Sequence, residues 1–170
     1  MTSREARMAG FTAFGRCTAA LALGLWVMTV PLGSFVETVR ITIPASVGFS
    51  VTNVSVATAG SPASGTVSFS QFSGTDTGNV LRISVKADGN FSPPSGPAIP
   101  ASKLSWTTSS PANGTGSNGV LSTSAYSQVF QSSPTKKAGG VNISWSLAAP
   151  GTPIRAGVHT LTVRWKLEAF

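Results

Sequence analysis

One cysteine, one histidine and five carboxylates are the whole stock of metal-ligating or strongly reactive side chains in this 170-residue chain. Charged residues make up 10%, against roughly a quarter in an average soluble protein. That scarcity excludes most enzyme classes before any motif is sought. A hydrolytic triad needs a histidine close to an activated nucleophile and an orienting carboxylate. The nearest acid in sequence to His159 is Glu168, nine positions on, which is roughly 30 Å along an extended strand. Serine is abundant, yet no G-x-S-x-G elbow gives a nucleophile an address. Calcium needs six to eight oxygen ligands, and the acidic turns around Asp76 (GTDTGN) and Asp88 (ADGN) each lack a second carboxylate. Both read as turn formers. The chain is therefore expected to be no enzyme and to hold no cofactor and no metal.

Cys17 lies in an N-terminal segment with the architecture of a signal peptide. Arg4, Arg7 and Arg16 form a basic flank, and residues 18–30 (TAALALGLWVMTV) form an apolar run. Pro31 stops the helix, and Gly33 or Ser34 offers a small residue for cleavage. An uncleaved anchor is the other reading, since residues 17–33 reach the lower limit of a spanning helix. Either way the remainder is delivered outside, as a secreted, extracellular or cell-surface domain. Removing residues 1–33, with their three arginines and Glu5, leaves nine basic and four acidic residues and no cysteine. Such a domain has no disulfide and must be held by its core. Its basic residues are scattered, Lys136 and Lys137 being the sole adjacent pair, so there is no clustered patch for nucleic acid. Nor is the mature domain expected to insert into a membrane.

Helical spacing is missing from residue 34 onward, and the recurring period is two. Residues 158–170 (VHTLTVRWKLEAF) place Leu161, Val163, Trp165 and Leu167 on one face and Thr160, Thr162, Arg164, Lys166 and Glu168 on the other. Residues 79–87 alternate likewise through Leu81, Ile83, Val85 and Ala87, and residues 141–147 through Val141, Ile143, Trp145 and Leu147. These are half-buried antiparallel strands. Weaker candidates are residues 36–43, 49–56, 67–72, 104–107, 120–123 and 126–130, divided by breaker clusters such as 59–65 (AGSPASG) and 109–119 (SSPANGTGSNG). Eight or nine short strands with such spacing predict a single all-β domain over 34–170, an immunoglobulin-like or pilin-like antiparallel β-sandwich preceded by the signal helix of 1–33. By parity Trp106, Trp145 and Trp165 point inward, as core rather than as sugar platforms.

Two W-x-L triplets, Trp145-Ser-Leu147 and Trp165-Lys-Leu167, stand on separate strands near the C-terminus. They resemble the paired motifs of the WxL group of bacterial cell-surface proteins, which implies a β-rich domain associated with peptidoglycan. Residues 156–163 (AGVHTLTV) resemble the A-G-x-Y-x-x-T lead into the last strand of secreted pilin-like and spore-coat-like proteins, with His159 in place of the tyrosine. The resemblances share a non-enzymatic surface or extracellular sandwich. Two functions are thus expected. One is a structural subunit making homotypic contacts; the alternative is a monomeric module binding peptidoglycan or another cell-envelope polymer. If the chain assembles, residues 34–43 (SFVETVRITI) are the candidate joining strand, with Val39, Ile41 and Ile43 entering a neighbour's groove. The ordinary reading of that segment is the first strand of its own sandwich.

Overall fold

A computed structural model describes residues 39–72, 78–93, 96–151 and 157–170. The signal segment, Cys17 and Asp76 lie outside the described residues. Within them the chain is all-β, apart from one 3-10 turn at Ala101–Lys103. Its strands are β1 (Arg40–Thr42), β2 (Thr58–Ala59), β3 (Gly65–Ser70), β4 (Leu81–Ala87), β5 (Leu104–Ala112), β6 (Gly114–Gly116), β7 (Gly119–Val120), β8 (Ser127–Ser132), β9 (Gly139–Leu147) and β10 (Val163–Ala169).

Every pairing is antiparallel, and the strands form two sheets. The first runs β1-β3-β9-β5-β7, with β2 also on β9; the second runs β10-β4-β8-β6. Period-two patterning made both central strands. Val141, Ile143, Trp145 and Leu147 of β9 and Leu81, Ile83, Val85 and Ala87 of β4 are all buried. Each large apolar side chain so removed from water contributes roughly 1.5–3 kcal/mol. Strand β6 packs against β5 and β9, and β8 against β7 and β9.

Three local departures from alternation have identifiable causes. In β8 both Val129 and Phe130 are fully buried, because the register against β4 shifts between Ile83 and Ser84 and a bulge turns two consecutive residues inward. The expected strand at 49–56 is not one. Asn53 closes a local turn by accepting the Ser55 N–H at 2.9 Å, and Val56 is left exposed. The breaker cluster at 109–119 instead carries structure: β5 continues through Pro111, then β6 starts in the other sheet. Ser110 and Asn113 make that crossing at φ values of 50° and 55°. A register shift between Ser109 and Ala112 accompanies it. Gly119 is required for a different reason, since a Cβ there would lie 2.5 Å from Cζ2 of the Trp106 indole.

Candidate functional site

The described residues contain no group of three or more His, Cys, Asp or Glu side chains able to hold a metal. His159 is half-buried just before β10, and Asp88 pairs with Arg164. A shallow depression lined by Asn90, Ser102, Val120, Leu121, Ser122 and Thr123 holds no titratable group. No helix among the described residues is long and apolar enough to cross a membrane. Among the described residues the more informative surface is backbone.

Among the described residues, strand β10 ends the second sheet and pairs only with β4. Which of its amides face outward follows from the ladder's phase. The Asp88 N–H donates to the Thr162 carbonyl at 2.9 Å, and Val80 and Phe170 exchange bonds of 2.9 and 3.2 Å. On the far side of β4 the Ala87 N–H donates to the Ser122 carbonyl at 2.9 Å. Antiparallel ladders alternate, so the even-numbered residues of β10 bond β4. The N–H and C=O groups of Val163, Trp165, Leu167 and Ala169 point to the open edge.

The other sheet ends are blunt by comparison. β1, β6 and β7 have three, three and two residues, whereas β10 has seven. Its register with β4 runs unbroken from Val163–Ala87 to Ala169–Leu81, with no bulge. It contains no proline. Short strands, bulges, prolines and charged side chains are the ordinary protections of an exposed edge, and of these β10 has only the charges, Arg164, Lys166 and Glu168.

Beside this edge the core is only partly sealed. Leu161, Val163, Trp165 and Leu167 on one sheet margin, and Val39, Val47, Phe49 and Val51 on the other, pack against the core yet are only partly buried. Toward the β5–β8 side Trp106, Leu121, Val129 and Phe130 are each at most 1% exposed. The outward face of β10 is charged. Arg164 is ion-paired with Asp88, and Lys166 Nζ lies 2.8 Å from Glu168 Oε1. Lys166 and Lys86 also approach the Tyr126 ring, at 5.6 and 5.1 Å, and Arg82 stacks 4.3 Å from the Phe170 centroid.

The two W-x-L triplets are not brought together. Trp145 and Leu147 are buried in β9 of the first sheet, where the Trp145 ring neighbours Trp106 at 5.5 Å. Trp165 and Leu167 lie in β10 of the second sheet. Of the candidate joining strand, Arg40–Thr42 pairs with Ser68, Phe69 and Ser70 of its own β3, Ile41 opposing Phe69. Val39, Ile41 and Ile43 are each half-buried there. Residues 40–42 thus form an edge strand of their own sheet, and residues 34–38 lie outside the described residues. The open edge of β10 was not identifiable from sequence, because a strand's neighbours are set by residues far away in the chain. Comparison with protein-family models, with curated proteins and with solved structures gave no match.

Proposed function

We propose that the protein is a non-enzymatic, exported structural component of the cell surface or extracellular space, built on an immunoglobulin-like or pilin-like sandwich that associates with further copies of itself. The observation that carries this reading is the β10 edge: seven regular residues, bonded on one side only among the described residues, on a margin where Leu161, Val163, Trp165 and Leu167 are only partly buried. An added strand would satisfy the outward amides and cover that apolar margin together, which is how strand addition derives both affinity and specificity. The signal-like pattern of residues 1–33 supports export.

A second reading, a monomeric module for peptidoglycan or another envelope polymer, draws on the outer face of the first sheet. Thr66, Ser68, Asn142, Ser144, Ser146, Ser105 and Thr107 make a flat, uncharged field of hydroxyl and amide groups. Several of these already bond within the sheet, as Thr66 Oγ1 does to Asn142 Oδ1 at 3.2 Å and Ser105 Oγ to the Ser146 carbonyl at 3.3 Å. The tryptophans that would serve as sugar platforms belong instead to the core or its margin. Sedimentation velocity of the full chain over a range of concentrations decides between the two. Self-association predicts a rising sedimentation coefficient. A monomer at every concentration that pellets with purified peptidoglycan refutes self-association and establishes the binding module.

A further inference from the structure

Resting on the self-association reading, we propose a specific interface: two copies of this chain pair β10 to β10, antiparallel about a two-fold axis at Lys166, joining their second sheets into one continuous sheet.

The register follows from the charge pattern and the strand length. Full overlap of Val163–Ala169 with its own reverse sets Val163 opposite Ala169 of the second copy and Trp165 opposite Leu167, all through outward-facing amides. Four such rungs supply about eight backbone hydrogen bonds, two per rung. The same overlap sets Arg164 opposite Glu168 of the second copy, twice by symmetry. Opposite charges directly across an antiparallel pair are stabilising and like charges are not. Moving the axis to Trp165 would set Arg164 against Lys166 twice, while moving it to Leu167 keeps opposite charges but loses a rung. Lys166 meets its own twin on the axis, and each is already countered by its own Glu168 at 2.8 Å. Within each copy Arg164 stands opposite Lys86 in the ladder with β4, so Glu168 of the second copy sets a carboxylate beside two cations. On the inner face, Trp165 and Leu167 of each copy cover one another at the margin where both are only partly buried.

Cysteine pairing reads the register directly. In the full chain carrying Cys17→Ser, Lys166→Cys places its sulfur opposite itself across a non-hydrogen-bonded rung. There the Cα atoms lie about 4.5 Å apart, within disulfide reach. Mild oxidation is expected to convert it to a covalent dimer. Arg164→Cys, whose twin would be about 13 Å away, stays uncrosslinked. Ala169→Pro removes an outward N–H that the domain itself does not use. It is expected to weaken the dimer roughly tenfold or more while leaving far-UV circular dichroism unchanged. A chain that associates but fails to cross-link through Lys166→Cys, and loses association when residues 1–38 are deleted, overturns this interface and leaves self-association standing, with the N-terminal segment as the joining element. A chain that remains monomeric at all concentrations overturns both.

Discussion

The same triplet, Trp-x-Leu, occurs in β9 and in β10 at the same parity, and the two copies meet different fates. In β9 it lies between strands on both sides, and Trp145 and Leu147 are 7% and 3% exposed. In β10 it lies at a sheet margin, and Trp165 and Leu167 are only partly buried. The polar residue between them changes accordingly. Ser146 in β9 sits under neighbouring strands, whereas Lys166 in β10 reaches over Tyr126 and pairs with Glu168. Alternation decides which way a side chain points; strand order decides how deeply it is buried and whether its backbone is spoken for.

Proline substitution is the harshest way to test that contrast. Ile143→Pro strikes a residue paired with Gly65 on one side and Thr108 on the other, so a ladder bond must be lost in the sheet interior. The expected outcome is failure to fold, seen as loss of the near-UV tryptophan signal. Ala169→Pro, on the open side of β10, is expected to leave the unfolding free energy of the monomer within about 0.5 kcal/mol of the parent.

Truncating the tryptophans grades the comparison more finely. Trp145→Ala should cost about 3–5 kcal/mol in denaturant unfolding, the usual range for a buried large aromatic. Trp165→Ala, beginning only partly buried, should cost less by lost area. Equal costs would mean that the β10 flank is sealed in solution. The smallest effect is expected for Arg164→Ala, which breaks the ion pair with Asp88. The two side chains are 48% and 33% exposed, so thermal or urea unfolding should register less than about 1 kcal/mol, diminishing further with added salt.

Most of the strands were legible in advance because one face of each is buried and the other is not. The inward sets of β4 and β9 are the alternating residues of the sequence, and Trp106 and Trp145 are core. Legibility failed where a tertiary demand overrode the local pattern. The stretch around Phe49 and Val51 is apolar enough to read as a strand, but the Asn53 turn ends it. The glycine- and proline-rich stretch before Val120 reads as loop, yet it holds the end of β5 and all of β6, because a strand switching sheets needs a bulge and left-handed residues at the corner. The β8 bulge is equally silent in sequence, since Val129 and Phe130 are both apolar whichever one faces in.

For the candidate site the division is sharper. The signs of charge along β10, the inward set of Val163, Trp165 and Leu167, and the scarcity of reactive side chains were determined by the sequence alone, since each depends on residue identity and a period of two. Only the tertiary structure decided that β10 ends its sheet among the described residues, that β1 closes onto β3, and that the inward set of β10 is only partly buried. Those facts depend on pairings between residues far apart in the chain, where the backbone bonds are alike for every residue and no side chain records its neighbour.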